Sequence, residues 1–147
     1  MKITLVLSLA SSLLMSGCCK QVHFTPERPS VVRGWQKFDD HGMAVIGEFL
    51  LKKGQSVDNG KFGVELVRTI APQKCYELSA ENILIPHAVL RFYELPSKRT
   101  LIEIDASRHT NHRLMDFNFP VDKYDVDSVL IDEINTKEEW VWFELLK

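Results

Sequence analysis

"AVLRFYELPSKRTLIEIDA", residues 88–106, holds the pattern that decides the fold. Ala88, Leu90 and Phe92 alternate with Val89, Arg91 and Tyr93, and after "LPSKRT" Ile102 and Ile104 alternate with Leu101, Glu103 and Asp105. A period of two places one set of side chains on each face of an extended chain. Two such runs about a short polar link with a proline predict an antiparallel hairpin, 88–95 with 99–106.

The same period recurs on both sides. Met43 to Lys52, Phe62 to Val67, Ser128 to Asp132 and Trp140 to Leu145 all alternate, with branched and aromatic residues enriched. "DNGK" (Asp58–Lys61) and "INTKEE" (Ile134–Glu139) carry turn chemistry. They predict hairpins 43–52 with 61–70 and 126–134 with 139–146. Further strands are expected around 31–38 and 75–79, and "SAENIL" (Ser79–Leu84) offers a helix cap that Pro86 stops within a turn. Several strands are apolar on both faces, so one sheet needs a second to cover it. The expected fold is all-β: a mostly antiparallel β-sandwich of about seven or eight strands, with a partly closed barrel as the alternative.

The first twenty residues have another character. Lys2 is the only charge before Lys20, and "ITLVLSLASSLLM" (Ile3–Met15) is apolar or small throughout. Thirteen residues fall short of the roughly 20 that span a membrane, and the layout is that of a secretory signal. The run ends in "MSGC", Met15 to Cys18. This resembles the lipobox of bacterial lipoprotein precursors: an aliphatic residue, two small residues, then cysteine. The resemblance implies cleavage before Cys18 and a diacylglycerol, with a further acyl chain such as palmitate, on that residue. Ordinary secretion, with a cut before Cys19, is the competing reading. The implied organisation is a signal over 1–17, a lipidated tether over 18–30 and one β-domain over 31–147. Pro26 and Pro29 suggest an extended, semi-rigid spacer. The layout is similar to that of small lipoprotein inhibitors and immunity proteins directed against envelope-acting toxins. It implies a non-enzymatic binding protein, anchored to the cell envelope (the outer membrane for preference) and facing the periplasm. The alternatives are an accessory structural lipoprotein of a secretion or assembly machine, or a metal-dependent enzyme.

The chain carries a formal charge of −2, but unevenly. From Asp116 to Lys147 nine acids face three bases, a net of −6, so the earlier part of the mature chain is basic. An acidic region steers basic partners. Asp132, Glu133, Glu138 and Glu139 flank the last expected turn and are the predicted contacts with a periplasmic protein. No nucleic-acid partner is expected.

In "DASRHTNHRLMD" (Asp105–Asp116), Arg108, His109, His112 and Arg113 suggest an anion or lipid-headgroup contact. His109 and His112 are three apart, a spacing that suits zinc or copper, but the flanking arginines repel a cation and no metal is assigned. Asp39, Asp40 and His41 lack the ligand spacing of a calcium loop. There is no G-x-S-x-G setting and no glycine-rich phosphate loop, so neither a catalytic residue nor a cofactor is called for. Trp140 and Trp142 share one strand face, as a core pair or an exposed platform. If Cys18 carries lipid, Cys19 and Cys75 are the remaining cysteines. A disulfide between them and a buried thiol at Cys75 both stay open.

Overall fold

A computed structural model describes residues 19–36, 45–75 and 85–147. Cys18, the Asp39–Asp40–His41 cluster and the "SAENIL" segment lie outside the described residues. The strands run β1 (Cys19–Gln21), β2 (Gly34–Trp35), β3 (Val45–Lys52), β4 (Ser56–Asp58), β5 (Phe62–Ile70), β6 (Gln73–Cys75), β7 (His87–Glu94), β8 (Thr100–Ser107), β9 (Asn111–Arg113), β10 (Ser128–Asn135) and β11 (Trp140–Leu146). A 3-10 turn (Leu114–Phe117) and one short helix, α1 (Val121–Tyr124), join β9 to β10.

Two sheets face each other. One has the order β2-β3-β11-β10-β9, the other β4-β5-β7-β8, and neighbouring strands in both are antiparallel. This is the expected sandwich, and among the described residues the sheets do not close into a barrel. The alternating residues supply the core. Phe62, Val64 and Leu66 of β5, Ala88, Leu90 and Phe92 of β7, Val129 and Ile131 of β10 and Val141, Phe143 and Leu145 of β11 pack together, all fully buried. At one end Phe62 lies 5.6 Å from Tyr124, 6.1 Å from both Phe119 and Trp35, and 6.4 Å from Phe92, between ring centroids. The Tyr124, Phe119 and Trp35 contacts are edge-to-face and the Phe92 ring is stacked, arrangements that add to simple burial. On the outer face of the four-stranded sheet the Tyr93 ring lies over Gly63, where a Cβ would sit 2.2 Å from it. A side chain at residue 63 would displace that ring.

The hairpins β7–β8 and β10–β11 form as the sequence predicts. The hairpin 43–52 with 61–70 does not. β3 pairs with β11 and β2, and β5 pairs with β7 and β4. The chain changes sheets at Lys53–Gln55, where Gly54 takes φ +81° and its N–H donates to the Leu66 carbonyl at 2.8 Å. Asn59-Gly60 does mark a hairpin, but that of β4 and β5. Asn59 Oδ1 accepts from the N–H groups of Lys61 (3.0 Å) and Phe62 (3.1 Å), and Gly60 takes φ +86°.

The stretch expected to be a spacer is held against the body. β1 pairs with β6, and the Val22 N–H donates to the Pro72 carbonyl at 2.8 Å. The Phe24 N–H donates to Thr136 Oγ1 at 3.0 Å, and the Thr136 N–H returns to the Phe24 carbonyl at 3.2 Å. Satisfying these backbone groups on the body replaces the water a free tether would keep. Among the described residues no helix is long and apolar enough to cross a membrane.

Candidate functional site

The outer face of the five-stranded sheet gathers carboxylates that are remote in sequence. Core residues fill one face of β3 and β11, so Glu48 and Glu144 project from the other, directly opposite each other in register. Like charges so placed repel. Arg33, just before β2, answers both: its Nε reaches Glu48 Oε2 at 2.5 Å and its Nη2 reaches Glu144 Oε1 at 3.4 Å. Glu48 is buried and also accepts the Trp142 Nε1–H at 3.1 Å.

Next to this pair β10 bulges between Ile131 and Glu133. The extra residue is Asp132, whose Oδ2 is buried with no hydrogen-bond partner among the described residues. Its carboxyl is pushed up to about 6, first by burial and then by the negative charges of Glu144, Glu48 and Glu133. Arg33 thus bridges two of the crowded carboxylates, Glu48 and Glu144, while Glu133 is engaged elsewhere.

A stability consequence follows. The folded-state pKa of Asp132 lies above the ordinary value of 3.8, so the native state holds this proton more tightly than the unfolded chain. Ionisation then costs stability as pH rises from about 4 through about 6. A two-unit shift corresponds to about 3 kcal/mol, and solvent screening of this half-buried group leaves about 1 kcal/mol. Asp132→Asn is expected to melt a few degrees higher than wild type at pH 7.5 and at the same temperature near pH 4. Thermal unfolding at the two pH values checks this, and a variant less stable at pH 7.5 would contradict it.

The four acids predicted around the last turn separate. Glu133 pairs with Arg108 Nη2 at 2.7 Å and lies 3.9 Å from His109 Nε2. Glu139 pairs with Lys53 at 3.3 Å, and Glu138 accepts the Trp140 Nε1–H at 3.3 Å. Only Asp132 belongs to the crowded strip. Glu48 and Glu144 belong there too, and Arg33 bridges them. Glu48 and Arg33 lie far from the acidic C-terminal run in sequence, so charge counting along the chain gives no signal for them.

The predicted basic patch also comes apart. Arg108 is committed to Glu133, and His112 Nε2 accepts the Ser107 N–H at 3.1 Å. Arg113 lies against the Met115 sulfur, with Nη2 2.8 Å from Sδ. Arg108 and Glu133, assigned to two different sites from sequence, are one ion pair. His109 and His112 have separate partners, and among the described residues no three His, Cys, Asp or Glu side chains converge on a metal position. Trp140 is buried and Trp142 half-buried, and neither joins the core cluster.

Other polar groups carry no evident chemistry. His87 Nδ1 lies 2.6 Å from Asp105 Oδ1, and the Ser107 hydroxyl, opposite His87 in register, is engaged with Thr110 Oγ1 at 2.9 Å. Two open hollows, about 270 and 280 Å³, adjoin at Lys61 and Tyr124. The first is also lined by Trp35, Gln36 and Ile46.

No protein-family model matches the chain, nor does any curated protein or solved structure.

Proposed function

We propose that this chain is a lipid-anchored, non-enzymatic binding protein of the bacterial cell envelope, facing the periplasm. It receives a basic surface of a protein partner on the acidic strip of the five-stranded sheet. An inhibitor or immunity role against an envelope-acting toxin fits that layout. The observation that carries the reading is the strip itself. Glu48, Asp132 and Glu144 crowd together, one Asp132 oxygen is buried without a partner among the described residues, and Asp132 resists ionisation as a result. Crowding that costs the free protein stability marks a functional-site candidate. A lysine or arginine from a partner would offset the crowded negative charge, and such pairs form strong, oriented contacts. Leu50 and Trp142, paired across β3 and β11, give the strip an apolar flank.

The test is photocrosslinking in cells from a benzophenone side chain at Leu50, with Glu103 on the opposite sheet as control. The expected result is one dominant protein adduct from residue 50 and none from 103.

A further inference from the structure

β1 begins at Cys19, the residue immediately after the lipid attachment expected at Cys18. Cys19 is disulfide-bonded, and the register places Cys75 directly opposite it. Opposed antiparallel residues have Cα atoms about 4.5–5.5 Å apart, within the range a disulfide bridges. One peptide unit, about 3.8 Å, then separates the anchor from a residue fixed to the body. A free twelve-residue linker would instead let the domain wander by roughly 20 Å.

The surface around this point has a composition suited to a bilayer. Lys20 and Lys74 are cross-strand partners and both are exposed. Val22 is 36%, Ile70 38% and Ile85 52% exposed, among the largest apolar exposures of the described residues. They share one end of the fold: Val22 bonds to Pro72, Ile70 pairs with His87, and Ile85 lies two residues before His87. Lysines beside exposed aliphatic residues match the headgroup region, where anionic phosphates attract the first and the acyl boundary takes the second.

We infer that this end of the sandwich rests on the phospholipid headgroups of the anchoring membrane, held there by a Cys19–Cys75 disulfide. The inference rests on the lipid reading of Cys18. The bridge forms by exchange with an oxidising disulfide of the envelope, which takes two electrons and two protons from the thiols and leaves as a dithiol. The domain thus lies on the bilayer instead of hanging from it.

The experiment uses full-length protein processed in cells with labelled palmitate, then reconstituted into phosphatidylethanolamine–phosphatidylglycerol vesicles. A small fluorescent amino acid replaces Ile85 or, as control, Lys98. Lys98 lies in the turn at the far end of β7, roughly 25 Å along the strand. Brominated phospholipids are expected to quench residue 85 at least twofold more than residue 98. Lys20→Glu with Lys74→Glu is expected to reduce that quenching at least twofold while palmitate incorporation stays unchanged. Thiol titration of denatured, unreduced wild-type protein is expected to find no free thiol, and Cys75→Ser to expose one. Palmitate-labelled protein with equal quenching at 85 and 98, or with two free thiols, would overturn the inference and leave the anchor standing. Wild-type protein with no palmitate would overturn the anchor itself.

Discussion

Replacing Cys18 by Ser is expected to abolish acylation altogether and leave an unprocessed precursor. An acceptor without sulfur cannot form the thioether to diacylglycerol, so the precursor should keep its signal and incorporate no palmitate. In the wild type each buried methylene contributes about 0.8 kcal/mol, and several chains on one residue together give stable anchoring where one is marginal. Cell fractionation and palmitate labelling check it. Equal labelling of wild type and variant would show that Cys18 is not the acceptor and would favour ordinary secretion with a cut before Cys19. The β-domain is expected to fold in either case, because its core draws on residues 46–145.

The largest stability loss is expected from Phe62→Ala. Phe62 is fully buried on β5 and touches four other aromatic rings, two of them from the β9–β10 connection. Removing a buried phenyl ring costs about 3–5 kcal/mol through lost burial and the cavity left behind. Against a total of about 5–15 kcal/mol for a domain, that is enough to lower the melting temperature by about 10 °C or more. The aromatic cluster, with Phe119 and Tyr124 at 5.4 Å, has little freedom to collapse into the space. Denaturant unfolding with near-unchanged m-value and a much lower midpoint is the predicted pattern. A loss under 1 kcal/mol would mean that the two sheets do not meet at Phe62.

The two expectations differ in what made them legible. Phe62 was visible because alternation is a local property: apolar residues two apart, bounded by Asn59-Gly60, identify a strand and its buried face without knowledge of its neighbours. The hairpins β7–β8 and β10–β11 were legible for the same reason, with only a short polar turn between their strands. The pairing of β3 with β5 failed because alternation does not say which sheet a strand enters. β4, three residues long, is too short for a period to show, and Gly54 sends the chain across the sandwich before it.

The acidic strip was legible only at Asp132. Glu48 and Glu144 become neighbours because β3 lies against β11, a pairing between residues 96 positions apart that no local pattern encodes. Arg33 meets them through β2, only two residues long. The other three predicted contacts have partners within the fold: Arg108 for Glu133, Lys53 for Glu139 and the Trp140 indole N–H for Glu138. The segment 18–30 reads as a spacer because Pro26 and Pro29 favour extended structure. Its attachment lies in backbone bonds to Pro72 and Thr136, whose positions only the assembled fold supplies.

The acidic strip as a docking surface is tested most directly by the photocrosslink from Leu50, read in two paired variants. Asp132→Asn with Glu144→Gln removes charge from the strip and leaves Glu48 with Arg33. Glu138→Gln with Glu139→Gln removes equal charge from the adjoining turn. The first pair is expected to lower the adduct yield severalfold, an effect that shrinks as salt rises because exposed charges are screened over about 8 Å at 0.15 M. The second pair is expected to leave the yield unchanged. An adduct that survives Asp132→Asn with Glu144→Gln at full yield, or that is lost only with Glu138→Gln and Glu139→Gln, would contradict docking on the strip.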